Sequence, residues 1–217
     1  EAHTAWNLKQ IETMPVYKDY ANGMKWVELK RPGEFAHEAT EMGNSVRGYE
    51  PSKDFYRKGR AADLAETHPD WIPESEYGLP KGQESSGHSG YGQGGWEAIK
   101  QGKVRIFSLR DSTGRSHVTV EVGSQEVRDY RQYGKGGKIP KPEVVKDILQ
   151  IKGKQNRAPT AEYLPYVQDF VKSGKWGEVG DLGNAGLVRN PRGEYVTEAE
   201  FLAAERALTT NSRAEFS

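Results

Sequence analysis

The stretch VRIFSLRDSTGRSHVTVEV, residues 104–122, decides the fold of this chain. Apolar residues alternate with polar ones on both sides of a short polar run, DSTG at 111–114. Alternation with a period of two is typical of strands, and two such runs around a polar turn are typical of a hairpin. The second run has valines on one face and polar residues on the other, Val118, Val120 and Val122 against His117, Thr119 and Glu121. The sequence therefore predicts a β-hairpin.

Further strands and helices flank this hairpin in the sequence. MKWVELK (24–30) and DILQIKGK (147–154) have the composition of strands. Apolar residues spaced three and four apart predict helices over 34–46, 96–103 and 160–173. We therefore expect an α+β fold, in which a small antiparallel meander of three to four strands packs on two to three helices, with long irregular insertions.

The C-terminal part of the chain carries signals for helix starts. Thr160 is the expected N-cap of the helix that ends near residue 173. GLVRNPRGEYVT (186–197) predicts a small hairpin that turns at NPRG. Thr197 and Glu200 have the spacing of a capping box, which predicts that a final helix begins there.

Two polar stretches interrupt the regular pattern, at 50–95 and at 123–145. The first is rich in Gly, Ser, Pro and charge, and loops of that length are uncommon inside a domain, so we expect an insertion with one short helix near 60–67. Because the chain starts at Glu1 rather than Met, we also expect a processed product or a piece of a longer polypeptide. The predicted division is an N-terminal helical segment (1–23, with a helix over 4–12), an α+β domain (24–187) and a C-terminal hairpin-helix extension or linker (188–217).

Composition excludes several functional classes. The 217 residues carry 31 basic and 31 acidic side chains, so the chain is not a globally basic nucleic-acid binder. The absence of Cys excludes disulfides, Cys-ligated zinc and thiol catalysis. The histidines lack metal-ligand spacing, so we expect neither a metal nor a cofactor. There is no apolar run of about 18 residues and no visible secretion signal, so we expect no membrane span.

Four stretches in sequence order resemble one family. They are EMGNSVRGY (41–49), GKVRIFSLRDSTGRSHVTVEV (102–122), DILQIKGKQNRAP (147–159) and YLPYVQDFVKSGKWGEVGDLGNAGL (163–187). Together they resemble the PcfJ-like domain of conjugative plasmids and bacteriophages, most of all the version inside large phage polyvalent or virion-associated proteins. The resemblance implies a component of a mobile element, partnered by other phage proteins or subunits of the parent assembly and located in the virion or the host cytoplasm.

The chain departs from this family at the end of the first predicted helix. The family pattern there is Met-x-His-Cys-Val-x-x-Tyr, and Met42, Val46 and Tyr49 match it. Asn44 and Ser45 stand where the family has His and Cys. The resemblance therefore carries no thiol or metal chemistry over to this chain.

Ser45 and His117 are the weak catalytic candidates. Ser45 would be a nucleophile and His117 its base, with Glu121 orienting the imidazole. His117 and Glu121 lie four residues apart on one strand, about 13 Å, which is too far for a direct hydrogen bond. The alternative is that Asn44 and Ser45 bind backbone groups near the helix end.

Two sets of polar residues are candidates for binding. One is a pocket for an anion or a peptide carboxylate, formed by Asn44, Arg47, Tyr49, Ser108, Arg110 and Gln150. Its structural alternative is that Arg110 pairs with Asp111 at the turn and Tyr49 is a half-buried aromatic. The other is a nucleic-acid contact formed by Arg128, Arg131, Lys152, Lys154, Asn156 and Arg157. Residues 128–157 contain nine basic and three acidic side chains, with two tyrosines among them, although a solvated face would have the same composition.

Three functions follow as hypotheses. The first is a non-catalytic structural or interaction module of a bacteriophage virion-associated or DNA-delivery protein. The second is an enzyme whose polar pocket joins residues 44–49 to the 104–122 hairpin. The third is a module that contacts nucleic acid through residues 128–157.

Overall fold

A five-stranded antiparallel sheet forms the centre of the molecule. The structure is a computed structural model that describes residues 14–51, 95–127 and 141–214. Each strand pairs with the next one along the chain, in the order β1 (Val16–Asp19), β2 (Lys25–Leu29), β3 (Val104–Arg110), β4 (Ser116–Val127) and β5 (Glu143–Lys152). A separate hairpin consists of β6 (Leu187–Arg189) and β7 (Tyr195–Thr197). The predicted hairpin at 104–122 is thus β3 and β4, the middle of the meander.

Four α-helices accompany the sheet in the described part of the chain. They are α1 (Glu34–Met42), α2 (Gly95–Lys100), α3 (Leu164–Ser173) and α4 (Glu198–Ala214). Short 3-10 turns follow α1 at Val46–Tyr49, β5 at Lys154–Asn156 and α3 at Leu182–Ala185. The α+β fold class is confirmed, and the meander has five strands where three to four were expected.

One face of the sheet packs on α3. The β2, β3 and β4 side chains on this face are apolar and buried, and they meet Val167, Phe170 and Val171 of the helix. Phe170 lies at the centre, with its ring 4.8 Å from that of Trp26 and 5.3 Å from that of Phe107. This face holds the larger of the two apolar cores. Burial of each large apolar side chain contributes about 1.5–3 kcal/mol to stability.

The opposite face packs on α1, the 3-10 turn at Val46–Tyr49 and α2. Its apolar part is smaller and includes Val27, Leu29, Val104 and Ile106 of the sheet with Phe35 of α1. Toward the β3–β4 turn the same face becomes polar, because Ser108 and Arg110 follow Ile106 at alternate positions of β3. Both of these polar side chains are completely buried.

The sheet extends beyond the predicted strands in two places. β1 lies in the segment 1–23, which we expected to be helical, and its pairing with β2 adds residues 16–19 to the sheet. β4 and β5 continue into 123–145, where Gly123–Val127 pairs with Glu143–Asp147. These strands are polar and mostly exposed, so their composition resembles a loop, and the cross-strand hydrogen bonds hold them extended. The helices predicted at 4–12 and near 60–67 lie outside the described residues.

Two helix boundaries also differ from the prediction. α3 begins at Leu164, and its N-cap residue is Tyr163 rather than Thr160. Pro165 has no N–H to give to a preceding turn, so it occupies the first turn of the helix, where none is needed. α1 ends at Met42 because Gly43 adopts a left-handed φ of 62° and donates its N–H to the carbonyl oxygen of Ala39. By contrast, the capping box is confirmed at the start of α4.

Candidate functional site

The stretch 41–50 joins α1 to the sheet through its polar side chains. The Asn44 side chain donates to Thr119 Oγ1 of β4 at 3.0 Å and accepts from the Val46 N–H at 3.3 Å. Glu50 accepts hydrogen bonds from the N–H groups of Gly33 and Ala36, both at 2.8 Å. Its carboxylate therefore caps the N-terminus of α1, where a negative charge is favourable. The polar residues of this stretch hold the helix at both ends.

Tyr49 and Glu121 form a buried pair beside this junction. The Tyr49 hydroxyl donates to Glu121 Oε1 at 2.5 Å, and both side chains are buried. Burial raises the pKa of the Glu121 carboxyl, and the Tyr49 hydrogen bond offsets only part of that effect. Burial and then the Glu121 carboxylate raise the pKa of Tyr49, which keeps the phenol protonated as the donor. The pair is a short hydrogen bond in an environment that disfavours charge.

Arg110 and Glu38 lie at the centre of the polar face, and both side chains are 0% exposed. Arg110 Nη2 donates to Glu38 Oε2 at 2.7 Å, and its other donors bind Ser108 Oγ at 2.8 Å and the Gly114 carbonyl oxygen at 3.0 Å. Glu38 also accepts from three hydroxyls, those of Ser108 at 3.0 Å, Ser116 at 2.7 Å and Thr119 at 2.6 Å. A buried ion pair is tolerated when its remaining hydrogen-bonding capacity is filled in this way.

Glu41 and His37 lie next to this pair on α1. His37 Nε2 is 3.4 Å from Glu41 Oε2, and the Ser116 hydroxyl, whose one proton is shared between Glu38 and Glu41, lies 3.0 Å from the same carboxylate. Burial favours the neutral form of Glu41, but His37, Arg110 and Ser116 outweigh it and lower the pKa to about 2. Burial also lowers the pKa of His37, so the imidazole is neutral near neutral pH. The network therefore contains one cationic centre, Arg110, shared by the two carboxylates.

The predicted pocket residues fall into three groups. Asn44, Tyr49 and Gln150 line one small cavity together with Ser45 and Glu121. Its volume is about 10 Å³, which is room for one water molecule.

Ser108 and Arg110 lie in the adjoining buried network, which Thr119 links to Asn44. Arg47 points elsewhere, since its Nη2 donates to Thr40 Oγ1 at 2.8 Å. The structural alternative is wrong on both counts, because Arg110 points into the core and bonds Glu38 instead of Asp111, and Tyr49 is fully buried rather than half-buried.

The structure does not bring Ser45 and His117 together. A bulge at the end of β3 places Ser116 opposite Arg110, so Ser116 rather than His117 reaches Glu38. His117 instead lies 2.7 Å from Asp111 Oδ2, and its ring stacks on Tyr163 with the centroids 4.3 Å apart. The Ser45 nucleophile therefore has no support from the one histidine that we expected to activate it.

The residues predicted to contact nucleic acid lie in different environments. Lys152 Nζ pairs with Asp181 Oδ2 at 2.9 Å, so part of its charge is neutralised. Lys154, Asn156 and Arg157 are exposed on the turn that follows β5. Arg128 and Arg131 lie outside the described residues.

Sequence reasoning missed Glu38, Ser116 and Thr119 as members of a buried network. The signal for Glu38 was present, because it lies between Phe35 and Met42 on the apolar stripe of α1. A carboxylate on a core-facing stripe needs a buried partner.

The described residues contain no group of three or more His, Asp or Glu side chains suited to a metal ion. No helix in the described ranges is long and apolar enough to cross a membrane. Comparison of the chain with family models, curated proteins and solved structures finds no match in any of the three.

Proposed function

We propose that this chain is a non-catalytic structural and interaction module of a bacteriophage virion-associated or DNA-delivery protein. The observation that carries the proposal is the closed hydrogen-bonding network between α1 and the sheet. Glu38 accepts from Arg110 and three hydroxyls, so the side chains that could act as acids, bases or nucleophiles are bound to one another. A network satisfied in this way holds two structural layers together and offers no reactive group to a substrate.

The enzyme hypothesis has less support. Its cavity beside Ser45 and Glu121 has a volume of about 10 Å³, far below the few hundred Å³ of ordinary small-molecule sites. Nucleophilic catalysis by Ser45 also requires a base within hydrogen-bonding distance. The residue expected in that role, His117, is bonded to Asp111.

An interaction role is supported by the exposed apolar side chains away from the core. The part of β4 and β5 that projects beyond β3 comprises residues 124–127 and 143–146. Val127 and Val144 in this projecting part are 43% and 60% exposed. Leu202 and Leu208 are 41% and 69% exposed on α4. The association with phages is supported by the resemblance of 41–49, and of the three stretches that follow it, to PcfJ-like domains.

A screen for turnover tests the non-catalytic part. The full chain is incubated with a serine-directed phosphonate probe and with model ester, phosphodiester, peptide and glycoside substrates. Ser45→Ala removes the candidate hydroxyl, and Ser112→Ala removes an exposed serine of the β3–β4 turn as the matched control. We expect neither labelling nor turnover that depends on Ser45. Labelling that is lost in Ser45→Ala and kept in Ser112→Ala would overturn the proposal.

A second experiment tests the virion part. Particles of the element that encodes the chain are purified on a density gradient, and its tryptic peptides are quantified against a major particle protein. We expect a fixed ratio of the two across the particle peak. Peptides found only in the host lysate, with none in the particle peak, would contradict the assignment.

A further inference from the structure

A groove lies at the end of the sheet remote from the β3–β4 turn. Its walls are the end of β2, the end of α2 with residues 101–103, and the projecting part of β4 and β5. The Ser124 N–H donates to the Lys103 carbonyl oxygen at 2.8 Å and joins two of these walls. The groove has a volume of about 1010 Å³, so it is much larger than the cavity beside Tyr49.

Positive charge is concentrated in this groove, although the whole chain is neutral. The lining residues include five cationic side chains, Lys30, Lys100, Lys103, Arg105 and Lys146. Two anionic side chains accompany them, Glu28 and Glu126. All four lysines are exposed. Lys30 Nζ lies 3.5 Å from Glu28 Oε2 and Lys100 Nζ lies 2.7 Å from Glu97 Oε1, and because exposed ion pairs are weak, a phosphate can displace these carboxylates.

The one guanidinium among the described residues that line the groove is already bound to a carboxylate. Arg105 Nε and Nη2 donate to the two carboxylate oxygens of Glu28, each at 2.8 Å. The hydrogen bond to Glu28 raises the pKa of the Arg105 guanidinium, and this effect exceeds the lowering caused by partial burial. The guanidinium therefore stays charged and bound to Glu28. Glu28 thus neutralises Arg105, and carboxylates also lie beside Lys30 and Lys100, so Lys103 and Lys146 are the main source of positive potential. Lys103 and Lys146 form no ion pair with any residue that the structure describes.

We propose that this groove binds the sugar-phosphate backbone of nucleic acid. Lysine ammonium groups bind phosphate as point charges, and several of them along one groove suit the regularly spaced charges of a phosphate backbone. Gln101, Ser124 and Gln125 add neutral side chains that can donate to phosphate and sugar oxygens.

The lining also predicts the mode of binding. No aromatic side chain is among the described residues that line the groove, so bases have no ring on which to stack. Binding through phosphates alone is independent of base sequence and depends strongly on salt. The groove is also separate from the exposed Lys154 and Arg157, which follow the other end of β5.

Fluorescence anisotropy of the full chain with a dye-labelled oligothymidine and a labelled duplex tests the proposal. If four lysines each neutralise one phosphate, raising salt from about 50 to about 200 mM weakens single-strand binding about 50-fold. Lys103→Ala with Lys146→Ala is the test variant. Lys154→Ala with Arg157→Ala removes the same charge from the other end of β5 and is the matched control.

We expect the groove variant to lose about tenfold in affinity at about 200 mM salt, and its salt slope to fall by about 1.4 for the single strand. The control variant should bind as the unaltered chain does. Both variants should retain the circular dichroism spectrum, because all four side chains are exposed.

Three results would overturn the proposal. The first is no binding to either oligonucleotide at low salt. The second is a loss of affinity in the Lys154 and Arg157 variant that equals or exceeds the loss in the groove variant. The third is tighter binding of a polyglutamate peptide than of both oligonucleotides, with the same dependence on Lys103 and Lys146, which would assign the groove to an acidic protein segment.

Discussion

Replacement of Arg110 by Met tests whether the buried ion pair holds α1 on the sheet. Both Arg110 and Glu38 are 0% exposed, and the 2.7 Å hydrogen bond joins residues 72 positions apart. The variant leaves the Glu38 carboxylate with its hydroxyl donors and without a counter-charge. Removing one partner of a buried pair costs about 3–5 kcal/mol, so we expect a loss of that size in the free energy of unfolding.

A variant with both Glu38 and Arg110 replaced separates the interaction energy of the pair from the cost of leaving either charge buried alone. Glu38→Met alone leaves the Arg110 guanidinium buried, with Glu41 as the nearest carboxylate at 3.9 Å. Glu38→Met with Arg110→Met removes both charges of the pair together, so the hydroxyls lose Glu38 as their acceptor and Glu41 loses the nearby guanidinium. We expect the double variant to lose less stability than the sum of the single variants, by about 2 kcal/mol or more.

Urea unfolding at neutral pH, followed by tryptophan fluorescence and circular dichroism, measures all three variants. The exposed pair between Lys100 Nζ and Glu97 Oε1, 2.7 Å apart, supplies the control. Glu97→Gln should change the free energy of unfolding by no more than about 0.5 kcal/mol. The reasoning is refuted if Arg110→Met costs less than about 1 kcal/mol, or if the single effects add within about 0.5 kcal/mol.

Two further predictions concern the same face of the sheet. Tyr49→Phe removes the donor to the buried Glu121 carboxyl, so we expect urea unfolding to show a loss of about 1–3 kcal/mol, and a loss near zero would contradict the pairing. Glu41 has a pKa of about 2 in the folded chain, so its contribution to stability is present above the ordinary carboxyl pKa and is lost as pH falls toward 2. Glu41→Gln should therefore flatten the fall in melting temperature between about pH 5 and 2, and an unchanged slope would exclude this source.

The hairpin and the last helix start were predictable because their signals are local. Alternation around DSTG at 111–114 defines β3 and β4 without reference to any other part of the chain. The capping box likewise needs only Thr197 and Glu200, which exchange hydrogen bonds at 2.7 and 3.1 Å. In contrast, β1 and the end of β4 are strands because they pair with neighbouring strands. Composition alone predicted a helical segment for the first and a loop for the second.

The bulge near Arg110 explains why His117 does not face α1 beside Thr119 and Glu121. Strict alternation puts His117 on the same face as Thr119 and Glu121. The shift in register after Leu109 interrupts that alternation, so Ser116 takes the position facing α1. A single extra residue in a strand is not visible in the pattern of polar and apolar residues, and it exchanged a histidine for a serine beside the buried carboxylate.

The buried ion pair was the harder part of the site, although the sequence constrained it. Alternation along β3 puts Arg110 in phase with Ile106, and the period of α1 puts Glu38 in phase with Phe35 and Met42. Each charge alone on a core-facing position costs several kcal/mol, so a chain that folds with one of them buried requires the other nearby. The pairing follows once α1 is known to pack on the β3 face that carries Arg110, and one of the contacts that hold it there is the Asn44 hydrogen bond to Thr119, which no local pattern predicts. The polar residues at the end of α1 therefore place the helix so that two opposite charges meet inside the protein.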